Sequence, residues 1–172
     1  MKLFGLAGWS GSGKTTLIVR LIPELNRRAI SVSTIKHAHH AFDIDVPGKD
    51  SYEHRAAGAR EVVVSSVNRW AIVHEHRGQP ESDLADVLAL LAPVDLVLIE
   101  GYKHASYEKL EVHRPAVGKP MLWPNDPTIV AVASDAPLAG VALPVLALED
   151  IAAIAGFVVA RCGLQRAASG VA

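Results

Sequence analysis

Eight consecutive residues, Gly8-Trp9-Ser10-Gly11-Ser12-Gly13-Lys14-Thr15, satisfy every fixed position of the pattern G-x-x-x-x-G-K-[ST]. A run of this kind has to join a buried strand to a helix, and the flanking residues comply. Leu3, Phe4, Leu6 and Ala7 form a short apolar run without helical spacing, whereas Leu17, Ile18, Leu21, Ile22 and Leu25 recur at the helical period. That order separates the match from a glycine-rich turn that ends in Lys-Thr by chance. Each residue type has a physical task. Gly8, Gly11 and Gly13 leave no side chains between the loop's amides and an anion, and the opening helix adds its unpaired N–H groups and positive dipole end. Lys14 has the reach for β- and γ-phosphates, the Thr15 hydroxyl suits a Mg²⁺ ion shared by those phosphates, and Ser12 and Thr16 complete the candidate nucleotide-holding set.

Composition narrows the class of protein. Half of the 172 residues are hydrophobic and 20% are charged, which fits one globular domain over 1–164 with a loose tail at 165–172. Seventeen Lys and Arg against 18 Asp and Glu give a net charge of -1, so no basic excess points to nucleic acid. The single cysteine, Cys162, has no intramolecular disulfide partner and reads as a small core residue in a reducing compartment. The first residues resemble a signal peptide only superficially, because their short apolar stretch runs straight into the phosphate loop. The densest apolar run, Ile151 to Ala160, is about half the ~20 residues that a bilayer requires. The expectation is a cytoplasmic protein with no membrane partner.

Beyond the first helix, Ile30 to Ile35 reads as a second strand, delivering Lys36-His37-Ala38-His39-His40 to the edge where ligands bind in open α/β sheets. This cluster has three readings: an anion or substrate site, a metal site, or a solvated loop. Of the following carboxylates Asp43, Asp45 and Asp50, Asp45 is the candidate for meeting Mg²⁺ or orienting water in a switch-like loop. Ser51 to Gly58 reads as a short helix. Glu61–Ser65 and Arg69–His74 read as a hairpin with edges suited to self-association, and Leu84, Val87, Leu88 and Leu91 mark a helix capped by Ser82 and stopped by Pro93.

Val94-Asp95-Leu96-Val97-Leu98-Ile99-Glu100-Gly101 has the form of a Walker B strand, a buried run ending in a carboxylate. Glu100 stands where many P-loop proteins carry Asp, while Asp95 belongs to the opposite end. Lys103 follows Glu100 and is a candidate for phosphate or another acidic group. Lys109 to His113 alternates charged and apolar residues, predicting a half-exposed strand, and the proline-rich stretch 114–127 predicts an ordered loop. Thr128 to Ala133 predicts a buried strand closed by Ser134-Asp135. Guanine presents N–H donors at N1 and N2 where adenine has an acceptor at N1, so a fixed Asp135 favours guanine; capping a turn is its other reading. A short strand at 143–146 and a helix with Ile151, Ile154, Ala155, Val158 and Val159 on its apolar face close the chain. The fold class is α/β: a P-loop NTPase-like three-layer sandwich, mostly parallel, with an added antiparallel hairpin.

Taken together, G-W-S-G-S-G-K-T-T, T-I-K-H-A-H-H, the Asp45 and Gly48-Lys49-Asp50-Ser51 segment, A-G-A-R, D-L-V-L-I-E-G-Y-K and V-A-S-D resemble the MobB family. The resemblance implies a GTP-binding accessory protein of molybdopterin-guanine dinucleotide biosynthesis, a homodimer with weak GTPase activity. It also implies assistance to a MobA-type guanylyltransferase, which joins GMP to molybdopterin. By the same resemblance Gly8, Gly11, Gly13, Lys14 and Thr15 hold phosphate and Mg²⁺, Glu100 is the Walker B carboxylate, and Asp135 reads the base. Lys36, His37 and Lys103 line the phosphate or cofactor side. Lys14, Glu100 and Asp45 are the candidates for any hydrolysis, with Thr15 and Glu100 as the metal ligands. Two other functions compete: a small-molecule kinase using ATP with the histidine-rich crevice as acceptor site, and a partner protein that binds nucleotide without turning it over.

Overall fold

The computed structural model describes residues 1–38, 42–102 and 105–164. In chain order the elements are β1 (Lys2–Ala7), α1 (Lys14–Arg27), β2 (Val32–Lys36), α2 (Asp50–Ala56), β3 (Glu61–Ser65), β4 (Trp70–His74), α3 (Leu84–Ala89), β5 (Leu96–Glu100), β6 (Lys109–His113), β7 (Ile129–Ser134), β8 (Val145–Ala147) and α4 (Ile151–Cys162). The chain divides into two compact units, 1–37 with 91–172, and 38–90.

The first unit holds a six-stranded sheet in the order β2-β5-β1-β6-β7-β8, with every pairing parallel. Its core follows from alternation. Phe4 and Leu6 of β1, Leu96 and Leu98 of β5, Leu110 and Val112 of β6, and Ala131 and Ala133 of β7 form one buried cluster with Leu17, Leu21 and Leu25 of α1 and Ile154, Ala155 and Val158 of α4. Cys162 joins this core as expected, and burial pushes its thiol pKa up.

Strand β6 departs from expectation. All five of its residues are buried, including Lys109, Glu111 and His113, so the half-exposed reading is wrong. Alternation is retained: Leu110 and Val112 face the helical core, and the polar residues face the other way, where the 114–127 segment covers them. Lys109 Nζ donates to Thr128 Oγ1 (2.8 Å) and Asp126 Oδ2 (3.2 Å). The Glu111 carboxylate accepts from the backbone N–H groups of Leu122 (2.7 Å) and Trp123 (2.9 Å). An interior strand between β1 and β7 is covered on both faces, and Lys109 and Glu111 are satisfied by specific partners instead of water.

The second unit contains α2, the antiparallel β3–β4 pair and α3. The hairpin occupies the expected residues, with Val63 opposite Ile72 and Ser65 opposite Trp70. The cap of α3 is Asp83, one residue after the expected Ser82. Its carboxylate accepts from Asp86 N, and Asp86 returns the bond to Asp83 N, a reciprocal capping box that the serine does not make. In the same unit Arg55 binds Asp45 through two hydrogen bonds (3.2 and 2.8 Å), Asp43 (2.7 Å) and Glu75 (3.1 Å). These bonds hold the Asp45 carboxyl below the usual range. Among the described residues no helix is long and apolar enough to cross a membrane.

Candidate functional site

Because the six strands run parallel, the segments that leave their carboxyl ends share one edge of the sheet, the usual ligand edge of an open α/β fold. The glycine-rich loop follows β1, Lys36 ends β2 with His37 next, Glu100 ends β5, Arg114 follows β6, and Asp135 follows β7.

The loop has the backbone that its sequence predicts. Gly8, Gly11 and Gly13 have φ of 140°, 82° and 100°. At Gly8 space also demands glycine, since a Cβ would lie 2.5 Å from the Val112 carbonyl oxygen and 2.7 Å from Ser12 Oγ. Gly13 is the residue before α1, and no side chain caps that helix start. Its first amides therefore remain available to an anion, together with the positive end of the dipole. The Ser12 hydroxyl is buried in the loop, where it makes no hydrogen bond within the protein. Thr15 and Thr16 are exposed on the first turn. Trp9 fixes the outer side of the loop by donating its indole N–H to the Pro120 carbonyl at 2.7 Å.

Lys14 and Glu100 are brought together. The ammonium lies 3.8 Å from Glu100 Oε1, with side chains 14% and 16% exposed, and it also donates to the carbonyls of Gly8 (2.9 Å) and Trp9 (3.0 Å). Register explains the meeting: Glu100 is paired with Leu6 of β1 on one side and with Lys36 of β2 on the other. The backbone then turns at Gly101, φ 103°, where a Cβ would come within 2.5 Å of His37 Cβ. Glycine permits His37 N to donate to the Glu100 carbonyl at 2.8 Å. The His37 ring packs against Tyr102 at a tilt of 38°, with centroids 4.6 Å apart. Tyr107, its phenol pushed up to about 12 mainly by burial, donates to the Gly101 carbonyl at 2.9 Å. Lys36 is exposed beside this turn.

Lys103, His39 and His40 fall outside the described residues, and so does the 165–172 tail. Among the described residues no group of three or more His, Cys, Asp or Glu is arranged to hold a metal ion. Asp135 is exposed, and its Oδ2 lies 3.7 Å from Arg114 Nη1. Arg114 carries no motif in the sequence. Only the placement of β6 between β1 and β7 reveals it, and the same is true of the Trp9 anchor.

A parallel α/β sheet with this glycine loop between β1 and α1, and a carboxylate on the adjacent strand facing the loop lysine, defines a P-loop protein. Comparison with known proteins is more specific. Residues 3–135 match the family model of MobB, molybdopterin guanine dinucleotide synthesis protein B, and the chain belongs to that family. A molybdopterin-guanine dinucleotide biosynthesis adapter protein of Escherichia coli (strain K12) is 42% identical over 160 residues, covering 91% of this chain and 91% of the relative. The protein of the same name from Haemophilus influenzae (strain ATCC 51907 / DSM 11121 / KW20 / Rd) is 44% identical over 139 residues, covering 79% and 76%. Among solved structures, a MobB homologue from Bacillus stearothermophilus superposes with a TM-score of 0.70 at 27% identity, covering 96% of this chain and all of that one.

Proposed function

We propose that this protein is a GTP-binding adapter of molybdopterin-guanine dinucleotide biosynthesis, one that turns its nucleotide over slowly and works with a MobA-type guanylyltransferase. The pathway and the adapter role come from the names of the relatives. The nucleotide reading is supported by one observation above others: Lys14 of the glycine loop and Glu100 of β5 converge to 3.8 Å where α1 begins. The residues fit a Mg²⁺-bound triphosphate. Three glycines open the loop, the Ser12 hydroxyl is buried inside it with its hydrogen bonding unmet, and a cation and a carboxylate stand at its mouth.

In this proposal the loop amides and Lys14 bind phosphate oxygens, Thr15 supplies a hydroxyl to the metal, and Glu100 faces it directly or through water. Mg²⁺, when bound, supplies charge neutralisation to the phosphates. Asp135 accepts from guanine N1–H and N2–H, the pair of donors that adenine does not present. Asp45 remains the candidate for orienting water, its carboxylate held by Arg55. Lys36 and His37 border the carboxylate and suit an anionic group of a second ligand, molybdopterin among the candidates. The protein self-associates through the β3–β4 hairpin. A cytoplasmic location belongs to the same proposal and agrees with a lone buried thiol.

Calorimetric titration with non-hydrolysable GTP and ATP analogues, each with Mg²⁺, tests the reading. Tighter binding of the guanine analogue supports it. Tighter binding of the adenine analogue favours the kinase reading instead. Phosphate release from GTP without any added acceptor then separates slow hydrolysis from binding alone.

A further inference from the structure

We infer that Arg114 is a specificity-determining residue of the nucleotide site, positioning the Asp135 carboxylate for the base. The inference rests on the reading that this site takes GTP. Topology puts Arg114 in place: β6 lies between β1 and β7, so the first residue after β6 stands between the glycine loop and Asp135. The side chain spans that interval. Its Nε and Nη2 lie 3.4 Å from where a Cβ on Gly13 would sit, and its Nη1 lies 3.7 Å from Asp135 Oδ2. The bare Cα of Gly13 thus provides the floor on which the guanidinium rests. Arg114 also lines a small cleft with Gly13, Thr16, Leu17, Leu148 and the Arg20–Glu149 ion pair, over the first turn of α1.

The geometry of the pair matters. At 3.7 Å the contact is an ion pair and not a hydrogen bond, so it draws the carboxylate into place without consuming an acceptor lone pair. Both Asp135 oxygens keep their capacity for the two guanine donors. The Arg114 Nε is buried and makes no hydrogen bond within the protein, so the guanidinium is held by packing and by Asp135.

The test is calorimetry of Arg114→Ala, Arg114→Lys, Asp135→Asn and the Arg114→Ala/Asp135→Asn double variant with the Mg²⁺-bound guanine and adenine analogues. The side chain of Arg114 is 34% exposed, and its truncation spares the core. The expected result is a drop of about tenfold in the guanine-to-adenine affinity ratio for Arg114→Ala, with adenine affinity held within about twofold. Arg114→Lys retains part of the ratio, and the double variant loses no more discrimination than Asp135→Asn alone. An unchanged ratio in Arg114→Ala overturns the inference. Equal weakening of both analogues also overturns it, and moves Arg114 to the phosphates. A wild-type protein without guanine preference removes the GTP reading itself and the inference with it, whereas a wild-type preference that survives in Arg114→Ala removes the inference alone.

Discussion

Lys14 and Glu100 are opposite charges held 3.8 Å apart with little water access, yet their tasks separate cleanly. A triphosphate competes with Glu100 and the loop carbonyls for the ammonium, and Lys14→Ala removes that charge-assisted contact. Titration of the variant with the guanine analogue is expected to find affinity lower by about a hundredfold. Wild-type affinity in this variant would take the loop out of the account. Glu100→Gln keeps the shape of the side chain and deletes only the charge that would face a bound Mg²⁺ ion. It is expected to slow Mg²⁺-dependent phosphate release by more than about tenfold while changing nucleotide affinity by less than about threefold. Unaltered release would assign the metal to another ligand. Lys14 is legible in the sequence because strand, loop and helix are contiguous, and Glu100 because it closes a buried apolar run of its own; in each case a local pattern encodes a local structure. Arg114 is not legible, because its place depends on which strands flank β6, a fact distributed over the whole chain.

Among the elements, β6 teaches most about the limits of pattern reading. Alternation of Lys109, Leu110, Glu111, Val112 and His113 identifies a strand and its two faces, but it does not say what covers the polar face. The cover is the 114–127 segment, and Glu111 fastens it by accepting from Leu122 N and Trp123 N. The same segment receives the Trp9 indole at the Pro120 carbonyl, which joins β6 to the phosphate loop through two sets of hydrogen bonds. Glu111→Ala leaves two backbone donors without their acceptor and opens a cavity in a fully buried position. Urea unfolding is expected to report a loss of about 2–4 kcal/mol, a large fraction of the stability of an ordinary domain. A loss below about 1 kcal/mol would mean that water replaces the carboxylate and that Glu111 is not the fastening. The α3 cap carries a smaller lesson. Ser82 and Asp83 both have capping side chains, and Asp83 takes the position because Asp86 lies three residues on to complete the reciprocal pair.

At the scale of the whole molecule, apolar burial is divided unevenly between the two units. The unit of 1–37 and 91–172 holds the fully buried residues of β1, β5, β6 and β7, whereas Val62 is the one buried hydrophobic among the described residues of 38–90. The hairpin in that second unit is a two-stranded sheet by itself, a form that is marginal in water. One of its faces carries Val63, Ile72 and Trp70, which are 60%, 40% and 65% exposed and stand next to one another by register. The self-association proposed above would remove apolar surface of this face from water and supply packing that the hairpin lacks. Amide hydrogen exchange joins the two points. In dilute protein, the amides of 61–74 are expected to exchange through openings of lower free energy than those of 96–100 and 129–134. As protein concentration rises, protection at 61–74 is expected to increase, because mass action stabilises what the second copy covers. Trp70→Asp places a charge at the turn end of the face, beside Val63 and Ile72, and it is expected to abolish the concentration dependence and give a monomer by sedimentation. If exchange at 61–74 is independent of concentration in the wild type, the hairpin is not the self-association surface.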